Sequence, residues 1–293
     1  MFLRIGFILI CLCPCLVSCQ PDQHKEGLFS KGKSAGTNKN PNLEEASGLA
    51  VSVANPGYLW CHNDSGNPAE LFLLDSLAKT KKVFKLAGVK NRDWEDIALG
   101  PCGNPGAFCL YVGDIGDNLK RYPYKYIYRV PEPALNDPEE IIHFDTIVVK
   151  LPDEIRDSEA MMIDPVTKNL YLVSKHEKSV LLYEVANPEH SDTVVAKIVG
   201  RIPHQHIVAA DLSPDGSEVL IKSYEYIYYW KKKGNESLSE LLQTPGIKLP
   251  YDREIQGESV AWARNGSGYY TLSENGKGER AKLYFYKRKK VVD

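Results

Sequence analysis

The segment Arg92-Asp93-Trp94-Glu95-Asp96-Ile97-Ala98 sets three carboxylates around one tryptophan, at the entrance to an apolar run. Similar groups stand at other strand-like entrances and exits: His62-Asn63-Asp64-Ser65-Gly66, Gly113-Asp114-Ile115-Gly116-Asp117-Asn118, and the acids Glu159, Asp211, Glu258 and Glu274. Carboxylates brought together repel by ~4 kcal/mol per pair at 4 Å in a protein-like dielectric, and they raise one another's pKa. Such a group calls for a cation. Hard oxygen donors in number favour Ca²⁺, which takes ~6–8 oxygens, over zinc or copper. Glu95, Asp96, Glu159, Asp211, Glu258, Asp64, Asp114 and Asp117 are therefore candidate metal ligands. A structural explanation stays open beside this one. Asp and Asn at strand ends cap turns through their own backbone, and a recurring Glu can hydrogen-bond a neighbouring repeat.

His62, Asn63, Lys175, His176, His206 and Glu274 are the candidates for contacting a ligand at the same opening. Lys175-His176 would add positive charge for an anionic ligand, or would be a solvated strand end. In His204-Gln205-His206 an extended backbone puts both imidazoles on one side. That pair suits a metal or acid–base chemistry, or is a plain surface pair. No H-E-x-x-H motif occurs, and Ser65 in Asn-Asp-Ser-Gly has no evident His and Asp partners, so no catalytic residue is assigned.

What must position these residues is a repeat. Five segments align on an apolar strand, beginning at Glu45, Asp93, Arg156, Val208 and Gln256. After each comes a Gly/Asn/Pro/Asp turn (A-N-P-G, G-N-P-G, D-P-V-T-K-N, S-P-D-G, R-N-G-S-G), then an aromatic and β-branched run, then a third such run. The aligned residues Ser47, Glu95, Glu159, Ala210 and Glu258 lie 48, 64, 51 and 48 positions apart. Strand–turn–strand units at this period describe the blades of a β-propeller. The fold class expected is all-β, a single propeller of five repeats with six as the alternative, each blade of three to four antiparallel strands. The 64-residue step holds the proline-rich Pro131-to-Glu140 stretch, an insertion that would hide a sixth blade if there is one. Fourth strands are expected at K-K-V-F-K-L, D-T-I-V-V-K-L, V-A-K-I-V-G and I-K-L, with the segment around Leu28 closing the last blade. In such a ring the start of each inner strand lies beside the end of the second. The acids would then meet at one mouth.

The chain ends add location. Met1-Phe2-Leu3-Arg4, an apolar block from Ile5 to Val17, and Leu16-Val17-Ser18-Cys19 read as a lipoprotein signal over residues 1–18, with Cys19 lipidated. The block is shorter than the ~20 residues a spanning helix needs. Residues 19–42 are Gly/Ser/Asn/Lys-rich and read as a flexible tether, leaving 43–293 as the propeller domain. Cys61, Cys102 and Cys109 remain in the fold. The last two flank a turn and could pair in an oxidising compartment or stay free. Removing a leader that carries Arg4 shifts the net charge from −2 to −3, which offers no basis for nucleic-acid binding. The expected partners are the membrane, through the N-terminal lipid, and an envelope protein, a glycan or a small anionic ligand. A monomer of the cell envelope is expected, on the outer-membrane or periplasmic face.

The order S-G-L-A, N-P-G, L-W-x-H-N-D-S-G, D-W-E-D-I-A, G-D-I-G-D-N and Y-R-V-P-E-P, over residues 45–131, resembles a group of secreted bacterial β-propeller lipoproteins. The group is distantly similar to the calcium-dependent propeller phytases and their esterase-like relatives. That likeness implies Ca²⁺ in an acidic mouth and, as the alternative to a binding protein, Ca²⁺-dependent hydrolysis of phosphate or other esters. The dense Lys and Arg that a heavily phosphorylated substrate favours is absent here.

Overall fold

Alternating apolar and β-branched runs separated by Gly/Asn/Pro turns can bury their faces only by stacking sheet on sheet, and the chain does so around an axis. The computed structural model describes residues 27–186, 188, 193–276 and 278–290. The leader 1–18 and Cys19 lie outside the described residues. Five small sheets form a five-bladed β-propeller. From the axis outward, the strands of blade 1 are Ala46–Val51, Tyr58–Asn63, Glu70–Asp75 and Thr80–Leu86. Those of blade 2 are Trp94–Pro101, Phe108–Asp114, Lys125–Pro131, Asp145–Lys150 and, in parallel pairing at the outer edge, Thr193–Val195. Blade 3 has Ser158–Ile163, Leu170–Ser174, Val180–Val185 and Lys197–Ile202, and blade 4 has Ile207–Leu212, Glu218–Ser223, Ile227–Lys231 and Ile247–Lys248. Blade 5 has Ser259–Trp262, Gly268–Leu272 and Lys282–Lys287, and takes its outermost strand, Lys33–Thr37, from the other end of the chain. A parallel bridge between Ser47 and Glu258 joins the inner edges of blades 1 and 5 and completes the wheel.

The core is five apolar wedges, one between each adjacent pair of blades. Trp60, Phe84, Trp94 and Tyr128, for example, fill the wedge between blades 1 and 2. The only described helix, Leu238–Leu242, is one turn with a Ser237/Glu240 capping box, and no helix among the described residues is long and apolar enough to cross a membrane.

The insertion is a strap, not a sixth blade. The Glu132 carboxylate accepts from Ser52 Oγ, the Val53 and Ala54 backbone N–H groups and Trp60 Nε1, at 2.5–3.0 Å. Glu140–Ile141 then pairs with Lys85–Leu86 as a fifth strand of blade 1. Cys102 and Cys109 form a disulfide across their turn, with Cα atoms 5.7 Å apart, while Cys61 is a buried free thiol.

The reading of 19–42 as one tether needs correction from residue 27 on. Phe29 is buried against Tyr229, Trp262 and Tyr269, and the strand at 33–37 supplies the ring closure expected near Leu28. One large aromatic residue and an edge that needs pairing outweigh a polar composition. The same stretch spells two catalytic patterns, G-L-F-S-K-G-K-S (27–34), a phosphate loop, and G-K-S-A-G (32–36), a nucleophile elbow. Both require a strand–turn–helix. Here the residues run into an outer strand, so neither has its context. Phe29→Ala should cost about 3–5 kcal/mol in urea unfolding; a loss below about 1 kcal/mol would mean that the segment merely drapes over blade 5.

Candidate functional site

The second strand of each blade ends beside the start of its inner strand, so both places open on one face of the disc. At this start the first four inner strands share a β-bulge. The register skips one residue, which is Gly48 in blade 1, Glu95 in blade 2, Glu159 in blade 3 and Val208 in blade 4. A bulged residue leaves the ladder and re-aims its side chain. In blades 2 and 3 that side chain is a glutamate. In blade 1 it has to be glycine. Gly48 has φ +68°, and a Cβ there would meet His62 Nε2 at 2.7 Å and the Ile97 nitrogen at 2.8 Å.

The bulges feed a continuous run of seven carboxylates across four blades. Glu274 and Glu258 of blade 5 group with Asp64 of blade 1, Asp64 groups with Asp93 and Glu95 of blade 2, and Glu95 groups with Asp157 and Glu159 of blade 3. Within each group the ligand oxygens lie within 4.8 Å of one another. Gly116 makes room, because a Cβ there would collide with the carboxylates of Glu95 and Asp93. Blade 4 offers no acid at the equivalent place. Tyr224 Oη donates to Glu258 Oε1 at 2.6 Å, and Lys175 Nζ pairs with Glu159 while lying 5.6 Å from the centre of the Tyr224 ring. His176, half-exposed, sets Nε2 2.9 Å from Asp157 Oδ2, but without hydrogen-bond alignment, so that buried oxygen receives no hydrogen bond. The other Asp157 oxygen accepts from the Asp117 backbone at 2.7 Å.

Burial and mutual repulsion lift five of these acids. Desolvation, then the charges of Glu159, Asp64, Asp93 and Asp157, hold Glu95 well above the carboxylate range. Glu159 is likewise raised, by burial against the opposing pull of Lys175. Asp93 is raised by burial and by Asp157. Burial pushes Asp64 up to about 7, and burial together with Glu258 pushes Glu274 up to about 8.

Of the residues singled out in the sequence, the structure gathers Glu95, Glu159, Glu258, Asp64 and Glu274 in this run, and sets Lys175 and His176 on it. The other candidates go elsewhere. Asp96 follows the bulge into the channel, where it accepts from the backbone N–H groups of Ile97, Met161 and Ala210 at 2.9, 2.9 and 3.3 Å. It pins three inner strands together. Asp211 accepts from the Trp262 backbone at 2.7 Å. The blade-4 bulge falls at Val208, so Asp211 stands two places further down the channel than an alignment on Ala210 implies. Asp114 is paired with Arg92, Nε to Oδ1 at 2.9 Å, and Asp117 caps its loop by accepting from the Arg121 and Tyr122 backbones at 2.7 Å. His62 is fully buried edge-on to Trp94, with burial pushing it down to about 4. Asn63 ties down the approach to blade 1 through the Glu45 nitrogen and the Asn42 carbonyl. His206 has φ 55°, which breaks the alternation expected of His204-Gln205-His206. His204 instead stacks on Tyr228 with centroids 3.6 Å apart, while His206 is exposed. Asp93, one of the three carboxylates of the opening segment, and Asp157 were not among the candidate ligands, although both carry a signal. Each stands two residues before its bulged glutamate, in D-W-E and D-S-E.

No family model matches the chain, and no curated protein matches it. Among solved structures it is similar to the Dos1 propeller, at 9% identity over 86% of this chain and 82% of that one, with a TM-score of 0.41. It is also similar to a luciferin-regenerating enzyme, at 11% identity over 86% and 94%, with a TM-score of 0.44.

Two measurements test the electrostatics. A carboxyl whose pKa is higher in the fold than in the unfolded chain favours folding at acid pH, and that contribution is lost as pH rises through the folded value. In chelator, thermal stability should therefore fall from pH 5 to pH 8, the window set by Asp64 and Glu274. A curve that is flat or rising across this window would show that the carboxylates do not repel. In chelator at pH 8, Glu95→Gln should raise Tm by about 2–4 °C, the shift that ~1 kcal/mol gives in a chain of this size; a lowered Tm would mean that the ionised glutamate is structurally bonded.

Proposed function

We propose that this protein is an extracytoplasmic, lipid-anchored β-propeller that holds Ca²⁺ in its acidic mouth and presents it to an anionic ligand or partner of the cell envelope. The observation that carries the reading is the run of seven carboxylates against a single lysine paired to it among the described residues. Repulsion of this kind is relieved by protons or by a cation. The donors are all carboxylate oxygens, with no thiolate among them, which suits a hard divalent ion and not zinc or copper. Asp64 and Glu95 each belong to two groups, so the run has donors for more than one ion. Within that run, one buried Asp157 oxygen receives no hydrogen bond although His176 Nε2 lies 2.9 Å away, which suits a cation ligand. Anchoring rests on the Leu16-to-Cys19 sequence, and the Cys102–Cys109 disulfide supports an oxidising compartment.

One observation favours a second reading, Ca²⁺-dependent ester hydrolysis. His176 stands half-exposed beside Asp157, where an imidazole could take a proton from water.

Calorimetric titration decides between outcomes. Ca²⁺ should bind, and Glu159→Gln should weaken it at least about tenfold, ~1.4 kcal/mol. At a hundredfold excess over Kd, Ca²⁺ should add ~2.7 kcal/mol of stability, a Tm rise of about 5–10 °C. Absence of both heat and thermal shift would end the cation reading. Turnover of a phosphate or carboxyl ester that needs Ca²⁺ and disappears in His176→Ala would select the enzyme.

A further inference from the structure

A cavity of about 920 Å³ opens on the same face, between blades 3, 4 and 5. Its size falls within the ~300–1,000 Å³ of small-ligand sites, and it adjoins the acidic mouth through Tyr224, which lines the cavity while donating to Glu258. Its walls are unlike an apolar pocket, since Pro203 and Ile255 are the only aliphatic side chains among the described lining residues. Planar hydrogen-bonding groups dominate. Gln205 and Gln256 bring carboxamides, and Arg253 and Glu225 form a loose ion pair at 4.0 Å. Tyr226 is exposed on the rim, with Lys248 Nζ 4.1 Å from its ring centre. Two lining residues, His206 and Gln256, hold positive φ of 55° and 45° without being glycine, and strain of this kind concentrates at ligand clamps.

We propose that this cavity binds a saccharide, one sugar ring lying against Tyr226 with its hydroxyls held by Gln205, Gln256 and the Arg253–Glu225 pair. Carboxamide, guanidinium and carboxylate groups each present paired donors or acceptors in a plane, which matches neighbouring hydroxyls on a ring, while the C–H face of a sugar packs on an aromatic face. Other chemistries fit less well. A lipid or other apolar ligand lacks the aliphatic wall it needs. A planar base would need an open aromatic slot, and His204 and Tyr228 already close theirs by stacking on each other at 3.6 Å. A phosphate ester would need a lining of net positive charge, and here Lys178 and Arg253 are matched by Glu225 and Glu254. His204, held down to about 4 by burial and by Lys248, adds no charge at neutral pH.

The inference stands on the cavity and not on the cation, so its test runs in chelator. The full chain is titrated calorimetrically with cellotetraose, chitotetraose and tetragalacturonate, and in parallel with a tetrapeptide. At least one oligosaccharide should bind without Ca²⁺. Tyr226→Ala and Gln256→Ala should each weaken it about tenfold or more, ~1.4 kcal/mol, while Tyr226→Phe, which keeps the ring, should not. Tyr226 is exposed, so its variants leave the core intact. The proposal is overturned if no oligosaccharide binds, if only the peptide binds, or if binding is unchanged in Tyr226→Ala. It is also overturned if tetragalacturonate binds only with Ca²⁺ present and indifferently to Tyr226, a result that would put the sugar acid on the mouth instead.

Discussion

Repulsion among carboxylates is the constraint to which the rest of the wheel answers. Seven acids from four blades form three overlapping groups whose oxygens lie within 4.8 Å of one another, several of them buried, where a low dielectric strengthens each pairwise term. No local stretch of chain would hold them there. They stay because five apolar wedges and a closing strand from the far end of the chain fix the blades. Asp96 fixes the inner strands as well, by accepting from three of their backbone N–H groups. Packing energy spread over the whole ring therefore sustains an unfavourable charge arrangement at its centre, the usual relation between a scaffold and a strained site.

One backbone device, used unequally, gives the mouth its asymmetry. The bulge at the start of the inner strand recurs in blades 1 to 4, but only blades 2 and 3 put a carboxylate on it. Blade 1 needs glycine there because His62 and the neighbouring strand leave no space, and it supplies its acid from Asp64 at the end of the second strand. Blade 4 carries Val208 at the bulge and aromatic residues where the others carry acids. The disc face is thus acidic through blades 5, 1, 2 and 3 and aromatic at blade 4, with Lys175 and Tyr224 at the boundary. The cavity opens on the side that the carboxylate run does not reach.

The same geometry explains how far the sequence could be read. Five repeats, their strand order and most outer strands were legible because alternation and turn residues are local signals, and the gathering of Glu95, Glu159 and Glu258 followed from the repeat alone. The bulge was not legible, since it inserts one residue without changing composition. Hence Asp211, which looks equivalent to Asp96 on paper, lies deeper in the channel, and the histidine pair separates at the positive φ of His206. Asp114 and Asp117 resemble calcium-loop residues in Gly-Asp-Ile-Gly-Asp-Asn, but Arg92 and the loop's own N–H groups had already claimed them. A charge partner twenty-two residues away leaves no trace in a motif.

Protons and a divalent ion are alternative answers to the same repulsion, and this bears on when the proposed site would fill. Asp64 near 7 and Glu274 near 8 still carry protons around neutrality, so a cation entering there must displace them. Metal affinity in such a site rises with pH as the competing protons leave. Lys175 is a second competitor, because its ammonium already neutralises Glu159, and an ion bound at the Glu95–Asp157–Glu159 group would have to share that carboxylate or turn the lysine toward the Tyr224 face. Among the described residues the Asp64–Glu258–Glu274 group has no lysine paired to it, and a cation there displaces protons and the Tyr224 hydroxyl that donates to Glu258. The two ends of one acidic run are therefore not equivalent. A cation at the blade 1–5 end would be governed mainly by pH, and one at the blade 2–3 end mainly by how readily Lys175 gives way.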